Sequence, residues 1–229
     1  NDLLEKARNK MITFRFADSA VRHPVAFNPI PISTINSDFS EYLPSLTADG
    51  KTMVFTRKIF NDQEDLFVSY KSEDGKWSTP ESLDEINTPL NEGAPSISAD
   101  GNTLVFVCCD RREGLGGCDL YISKKKNNKW GPAVNMGEKV NTPAYESQPC
   151  ISDNGNMLIF CSNRVGSIGK KDLWITVKSK SNGWIKPINL GPVINTAMDE
   201  ECPFLHQDGK TLYFSSNGHP GIGQKDIFY

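Results

Sequence analysis

The stretch "INTPLNEGAPSISADGNTLVFV" at residues 86–107 is repeated as "VNTPAYESQPCISDNGNMLIFC" at residues 140–161. Both copies carry an Asn-Thr-Pro triplet, a glutamate, a second proline, an Asp/Asn-Gly pair and an apolar run that holds a phenylalanine. A pattern of this length recurs in a chain that folds as successive copies of one supersecondary unit. The repetition therefore predicts the fold before it predicts the function.

Six markers keep the same step along the chain. The Asp/Asn-Gly pairs, at steps of 51, 54 and 54 residues, are Asp49-Gly50, Asp100-Gly101, Asn154-Gly155 and Asp208-Gly209. The prolines and glutamates ahead of them are Pro44, Pro95, Pro149 and Pro203, and Glu41, Glu92, Glu146 and Glu200. The phenylalanines and aspartates that follow are Phe55, Phe106, Phe160 and Phe214, and Asp65, Asp119, Asp172 and Asp226. The tryptophans are Trp77, Trp130 and Trp184.

Each unit predicts four short strands. In residues 92–141, "APSIS" alternates and ends at Asp100-Gly101, a hairpin signal in which both turn positions favour positive φ. The run "NTLVFVC" predicts a strand that is buried on both faces, and "CDLYIS" alternates again. Pro132 restricts "WGPAVNMG" to an edge strand. Four antiparallel strands per unit, without a convincing internal helix, predict an all-β fold of β-propeller blades.

The two ends of the chain predict one incomplete blade. Asn36 lies 51 residues before Asn87, so residues 25–35 are expected to be an outer strand without the rest of its blade. The last unit stops at "KDIFY", after three predicted strands. We thus expect a propeller over residues 24–229, with repeats near 37–87, 88–141, 142–195 and 196–229: three complete blades plus one split or truncated blade. Either the orphan strand closes a four-bladed ring, or the chain is a segment of a larger ring of about six to eight blades.

Residues 1–23 begin with a short helical pattern and are expected to be a linker or the end of a preceding helical element. The formal net charge of −3 excludes the basic footprint of a nucleic-acid-binding protein. No window approaches the length of a membrane span, and the first residues lack the apolar stretch of a secretory signal. The chain is expected to be cytosolic or a mature piece without its signal.

The repeated glutamates are the sharpest candidates for a site. One carboxylate per blade, at Glu41, Glu92, Glu146 and Glu200, predicts a ring around the channel mouth that suits a cation or the basic end of a peptide. Alternatively, each carboxylate accepts backbone N–H groups and locks neighbouring blades together. The aspartates that open the third strands are either metal ligands, since Gly-rich loops precede them, or structural acceptors of hydrogen bonds within the loop of their own blade: Asp65, Asp119, Asp172 and Asp226. Their loops carry Arg111, Arg112, Lys170 and Lys171 rather than further carboxylates, which favours a structural role over calcium.

Cysteine is the residue type that ignores the period. Cys109 and Cys118 bracket one loop between antiparallel strands and are candidates for a disulfide, whereas Cys150 is private to its copy. The chain has no Cys-x-x-Cys pair, no Gly-x-Ser-x-Gly elbow and no histidines close together in sequence. We therefore expect no catalytic residues, no metal and no cofactor.

The segments "SNRVGSIGKKDLW" at 162–174 and "SNGHPGIGQKDIF" at 216–228 resemble the WD40-like repeat of TolB-type propellers. The long step, with Trp-x-x-Pro and "NLGPVINTAMDEECP" at 189–203, is similar to propellers of Bacteroidetes envelope proteins that also carry an OmpA-like domain, including type IX secretion components. The resemblance implies a non-enzymatic scaffold in the periplasm, associated with the outer membrane, that binds proteins of the cell envelope. Peptidoglycan would be bound only through a domain absent from this chain. The alternatives are an accessory propeller of a larger peptidase-type hydrolase, or a glycan- or calcium-binding propeller.

Overall fold

The computed structural model describes residues 2–24, 26–181 and 183–229, so Asn1, Val25 and Asn182 lie outside the described residues. Helix α1 spans Asp2–Arg22, and four antiparallel sheets follow it. Blade one contains β1 (Glu41–Leu46), β2 (Thr52–Lys58), β3 (Glu64–Tyr70) and β4 (Glu81–Ser82). Blade two contains β5 (Glu92–Ile97), β6 (Thr103–Cys109), β7 (Cys118–Lys126), β8 (Lys129–Trp130) and β9 (Val134–Asn135). Blade three contains β10 (Glu146–Ile151), β11 (Met157–Ser162), β12 (Asp172–Ser179), β13 (Gly183–Trp184) and β14 (Ile188–Asn189). Blade four contains β15 (Glu200–Leu205), β16 (Leu212–Ser216) and β17 (Asp226–Phe228).

This architecture confirms the predicted all-β propeller of antiparallel blades. In each blade the first three strands pair in chain order, and in the first three blades a short outer strand pairs with the third. The loops after the second strands lie at one end of the propeller, which we call the loop face. The Asp/Asn-Gly turns lie at the opposite end, the turn face.

The predicted Asp/Asn-Gly turns are present, but their geometry differs from the expectation. Only the glycine of each pair has a positive φ, for example 64° at Gly50. The Gly50 N–H donates to the Thr47 carbonyl (2.9 Å), and the Lys51 N–H donates to Oδ1 of Asp49 (2.9 Å). The aspartate side chain therefore closes the turn from outside, and only the glycine needs the left-handed conformation.

The core lies between the blades. One buried cluster joins blades one and two through Leu66, Ile86 and Phe106, and a second joins blades two and three through Leu120 and Phe160. A third, around Cys161 and Phe214, joins blades three and four. Trp130 belongs to the first cluster and Trp184 packs against the second, whereas Trp77 packs against a separate cluster that contains Phe55. Each tryptophan ring lies near a lysine ammonium of the third strand or its end, at 5.6 Å (Lys71 to Trp77), 4.7 Å (Lys125 to Trp130) and 4.8 Å (Lys178 to Trp184).

The outer strand predicted at residues 25–35 is not found at residues 26–35, and Val25 lies outside the described residues. Residues 26–32 form no strand, and the sheet of blade four has the three strands β15-β16-β17. Pro29 and Pro31 lack the N–H groups that a paired strand would use. Residues 32–36 instead form a turn in which the Ile35 and Asn36 N–H groups donate to the Ile32 carbonyl (2.9 and 3.1 Å).

Candidate functional site at the channel and the loop face

The four inner strands surround a central channel. Each contains a bulge, and the bulge residues Leu43, Ala94, Gln148 and Cys202 have φ values of 51°, 49°, 51° and 52°. One cavity of about 290 Å³ lies in the channel between these bulges. It is lined by the four bulge residues and the two residues after each of them, at 43–45, 94–96, 148–150 and 202–204. Left-handed conformations at four non-glycine residues store backbone strain in the wall of the channel.

Hydrogen bonds between neighbouring inner strands explain Cys150. The Ile97 N–H donates to Oγ of Ser45 (3.0 Å), and the Ile151 N–H donates to Oγ of Ser96 (2.9 Å). The Leu205 N–H donates to Sγ of Cys150 (3.1 Å), so this cysteine takes the place of the serines of blades one and two. Phe204 occupies the same position in blade four, where its side chain offers no acceptor.

The repeated glutamates lie in the junctions between blades. Glu146 is fully buried and accepts hydrogen bonds from Thr142 N (2.8 Å), Thr142 Oγ1 (2.7 Å) and Ser162 Oγ (2.9 Å). The guanidinium of Arg164 lies 3.0 Å from the same carboxylate. The Thr142 donors belong to the segment that connects blades two and three, so the carboxylate ties that segment to its blade.

The other glutamates have related partners, although among the described residues no arginine or lysine is paired with Glu200. Glu92 is paired with Arg111 at 2.9 Å and Glu41 with Arg57 at 2.8 Å, while Glu200 accepts from Thr196 and Ser216. With the carboxylates of Glu92, Glu146 and Glu200 fully buried, they do not present free charges to the channel mouth. The arginines were missed in the sequence because they stand at different distances from the repeat markers.

The repeated aspartates hold the loops of the loop face. Asp119 accepts from the Leu115 and Gly116 N–H groups (2.6 and 3.1 Å) and from Nδ2 of Asn135 (2.9 Å). Asp172 accepts from the equivalent groups of Ile168, Gly169 and Asn189, and Asp226 accepts from Gly223 N. Asp65 accepts from Gln63, and burial raises its pKa. Within the described part of the chain, no group of three or more His, Cys, Asp or Glu side chains could hold a metal ion.

The asparagine of each Asn-Thr pair at 87–88, 141–142 and 195–196 forms a clamp on the third strand, whereas the sequence analysis used the Asn-Thr-Pro triplets only as markers of the repeat. Asn141 accepts from the Leu120 N–H (2.9 Å) and donates through Nδ2 to the Leu120 carbonyl (2.9 Å). Asn87 and Asn195 bond Leu66 and Leu173 in the same way. The side-chain amide thus bonds the N–H and the carbonyl of one residue at the edge of the third strand, beyond the end of the short outer strand.

The six cysteines comprise one disulfide pair, three buried thiols and the exposed thiol of Cys202. Cys109 and Cys118 are joined as a disulfide across the β6–β7 loop. Cys108, Cys150 and Cys161 are buried thiols, and burial raises the pKa of Cys150 to about 11 and that of Cys161 to about 12.

Two positions per blade break the repeat at the loop face. The residues after the repeated glutamates are Tyr42, Gly93, Ser147 and Glu201, and those before the repeated aspartates are Glu64, Cys118, Lys171 and Lys225. The Tyr42 hydroxyl donates to Oε1 of Glu64 (2.6 Å), and burial, with this contact, raises the pKa of Tyr42. Glu201 is buried and is paired with both Lys171 (2.7 Å) and Lys225.

Two cavities open beside the channel on this face. One, of about 210 Å³, is lined by Tyr42, Glu64, Asn91, Gly93, Ser147 and Gln148 among others. The second, of about 440 Å³, is lined by Asp110, Cys118, Pro143, Tyr145 and Asn163 among others. Tyr145 lines both cavities, which therefore form one continuous, blade-specific surface at the channel mouth.

Fold and site together define a β-propeller whose repeated frame carries a blade-specific surface at one channel mouth. No family model and no curated protein matches the sequence. Among solved structures, TolB from Acinetobacter baumannii is similar, with a TM-score of 0.57 and 18% identity over 85% of this chain and 41% of that chain. A thermostable family-43 glycoside hydrolase has a TM-score of 0.56 and 12% identity over 84% of this chain and 72% of that one. An alpha-L-arabinofuranosidase from Lactobacillus brevis has a TM-score of 0.53 and 14% identity, with coverage of 80% and 67%.

These comparisons support the TolB-like propeller fold and do not define an activity, because TolB and glycoside hydrolases share it. The chain spans about two fifths of the TolB structure it matches, since it covers 41% of that chain. No helix within the described residues is long and apolar enough to cross a membrane.

Proposed function

We propose that this chain is a non-enzymatic scaffold propeller that binds proteins of the cell envelope through its loop face. The single observation that carries the proposal is a contrast between two sets of residues. The contacts that hold the blades together are repeated, and the residues that differ between blades lie at the loop face. The glutamate, aspartate and asparagine interlocks repeat from blade to blade, whereas the blade-specific residues Tyr42, Glu64, Tyr145 and Glu201 gather at one channel mouth. A rigid framework that presents variable residues at one face is the usual arrangement of a binding site on a propeller or other regular scaffold.

The proposed location is the periplasm, in association with the outer membrane and with a type IX secretion assembly. The motifs at 162–174 and 216–228, and the similarity of the fold to TolB, support an envelope propeller. The Cys109–Cys118 disulfide adds independent support, because such bonds persist in the periplasm and are rare in the cytosol. Binding to peptidoglycan belongs, in this proposal, to a domain outside this chain.

A photo-crosslinking amino acid placed on each face tests the proposal in the protein's own cells. We expect a discrete crosslinked partner when the probe replaces Tyr145 or Asn163 on the loop face. We expect none when it replaces Asn102 or Lys210, which lie beside turns on the opposite face. The partner is identified by mass spectrometry after fractionation of the envelope.

Crosslinks of equal yield from both faces, or from neither, would contradict a loop-face scaffold. A hydrolytic activity of the purified chain that one point substitution abolishes would contradict a non-enzymatic role. A shift of the melting temperature with calcium or with soluble glycans would favour the glycan- or calcium-binding alternative.

A further inference from the structure

The cavity at the boundary of blades one and two holds a carboxylate without a cation. Glu64 lines this cavity and is partly buried, with its Oε1 bonded to the Tyr42 hydroxyl at 2.6 Å. The nearest cations in sequence are paired elsewhere, Arg57 with Glu41 (2.8 Å) and Lys58 with Asp62 (3.0 Å). Among the described residues, no lysine or arginine is paired with Glu64.

The equivalent positions in another pair of blades show this site with its charges paired. At the boundary of blades three and four, Lys171 stands at the position of Glu64 and is paired across the boundary with Glu201, at 2.7 Å. At the boundary of blades one and two, the position of Glu201 is taken by Gly93. A Cβ atom placed on Gly93 would lie 3.1 Å from Oε2 of Glu64, so the carboxylate rests directly over a residue that has no side chain. At the boundary of blades three and four the chain itself supplies both members of the ion pair, Lys171 and Glu201. At the boundary of blades one and two, Gly93 supplies no partner for Glu64.

The walls of the cavity suit the rest of a basic side chain. Tyr145 contributes an aromatic ring, and in this structure the centre of that ring lies 5.2 Å from the ammonium of Lys171, so the ring already accepts a cation. Ser147 and Gln148 add polar groups, while Leu43 and Ala94 continue the wall into the channel. An aliphatic stem could pack along the apolar wall while its charged end reaches the carboxylate.

We propose that Glu64 and Tyr42 form a recognition site for a lysine or arginine side chain of a partner polypeptide, in the cavity over Gly93. This inference rests on the proposed function, because it names the chemistry of the partner at the same face. The cation completes across blades one and two the ion pair that Lys171 and Glu201 make across blades three and four.

Titration of the isotope-labelled protein with amino-acid probes, followed by NMR, tests the site directly. The probes are N-acetyl-lysine N-methylamide and N-acetyl-arginine N-methylamide, with N-acetyl-norleucine N-methylamide as the neutral control. We expect the charged probes to shift the amide signals of Asn91 and Gly93, and the neutral probe to leave them unchanged. In Glu64→Gln the affinity should fall about tenfold, as expected for the loss of one charge-assisted hydrogen bond.

Two further variants separate recognition from folding. Glu64→Lys places at this position the residue that blades three and four carry, so it is expected to fold and to lose the response to both charged probes. Glu73→Gln removes an exposed carboxylate that is paired with Lys51 outside the cavity, and it should behave as the wild type. Thermal melting verifies that each variant is folded.

The proposal is overturned if the charged probes shift no signal at Asn91 or Gly93, or shift them equally in wild type and Glu64→Gln. It is also overturned if the neutral probe acts like the charged ones. A crosslinked partner whose capture is unchanged in Glu64→Gln, without a response to the probes, would refute this site and leave the scaffold function standing. A specific response to the probes without any captured partner would support this site and contradict the scaffold function.

Discussion

At the scale of single residues, the molecule depends on buried charges that are completely surrounded by donors. Burying a carboxylate is unfavourable unless a cation and hydrogen bonds replace its water. Glu146 receives the Thr142 N–H, two hydroxyl groups and the Arg164 guanidinium, with all four donors within 3.0 Å. Glu92 has a similar set with Arg111. Such an interlock fixes the connecting segment on the blade more specifically than apolar packing alone could.

The substitution Glu146→Gln should lower the free energy of unfolding by about 3 kcal/mol, because it leaves the buried Arg164 without its counter-ion. Urea denaturation gives the value by linear extrapolation. The matched control is Glu113→Gln, a side chain that is 60% exposed and 3.8 Å from Arg111, for which we expect less than about 0.5 kcal/mol. Equal effects of the two substitutions would show that the buried interlock does not stabilise the blade.

The buried thiol of Cys150 predicts a dependence of stability on pH. Burial raises its pKa from 9.0 to about 11. Between these values the unfolded chain loses the proton while the folded chain keeps it, so the stability that is present below pH 9 is lost as the pH rises toward 11. The substitution Cys150→Ser keeps an acceptor for the Leu205 N–H but does not titrate.

We therefore expect Cys150→Ser to change stability by less than about 1 kcal/mol at neutral pH, since serine fills this position in blades one and two. Its decline in alkaline solution should be shallower than that of the wild type, by roughly 2 kcal/mol. Denaturation curves at a series of pH values compare the two proteins. Parallel declines would show that the Cys150 thiol is not protected from ionisation by the fold.

At the scale of secondary-structure elements, the turn before blade one is a copy of the turns that join the other blades. Ile35 and Asn36 bond the Ile32 carbonyl as Ile86 and Asn87 bond that of Leu83. Arg57 donates to the Ile35 carbonyl (2.7 Å), as Arg164 does to that of Val140. The turn is therefore docked on blade one, but among the described residues no third strand of a preceding blade lies against Asn36. The turn at 32–36 depends on hydrogen bonds within its own residues. The strand expected before it would need a neighbouring strand to pair with its backbone.

This half-junction provides a matched pair of substitutions. Asn141→Ala removes the clamp on Leu120 and should cost about 2 kcal/mol, because it leaves a buried N–H and a buried carbonyl without partners. Asn36→Ala changes the equivalent residue, which is exposed and whose side chain has no hydrogen bond among the described residues, so the cost should be below about 0.5 kcal/mol. Thermal and chemical unfolding measure both.

A large effect of Asn36→Ala would mean that its amide is bonded in solution, and thus that a strand covers this junction. A small effect of Asn141→Ala would show that the clamp contributes little beyond the strand pairing around it.

At the scale of the whole molecule, the period of the sequence predicts the repeated strands and their buried residues. It does so because each blade buries equivalent side chains from equivalent backbone positions. Phe55, Phe106 and Phe160 recur in register, and each lies in a buried cluster. The period does not predict contacts between positions that differ from blade to blade. The pairing of Tyr42 with Glu64 joins two residues 22 positions apart, and Lys171 reaches Glu201 in the next blade. Such contacts depend on the distance between strands and blades, which no local pattern encodes.

The same argument applies to the cysteines and the arginines. Cys150 is irregular in the sequence, yet it fills the serine position of the inner strands. Equivalent carboxylates are paired with Arg57 from within β2, and with Arg111 and Arg164 from the loops after β6 and β11. Side chains long enough to reach one point from several starting positions leave no periodic signal.

The unequal covering of the blades predicts unequal protection of their backbone amides. Blade three lies between two others, and Leu158, Phe160 and Cys161 in its second strand are fully buried. In blade four the described residues form three strands without an outer one, and Ile227 and Tyr229 at its edge are 78% and 90% exposed. Amides in β16 and β17 should therefore open and exchange with deuterium much faster than those in β11, with β6 as the second protected reference.

Hydrogen–deuterium exchange with peptide-level mass spectrometry measures this gradient. Equal protection of residues 212–228 and 157–162 would contradict an uncovered fourth blade, because edge amides without a partner strand cannot be protected by blade three alone. Dilution then separates the two sources of such a cover. Protection that persists at low protein concentration would assign the cover to another segment of the same chain, such as α1 or residues 26–36, and protection that is lost would assign it to a second molecule.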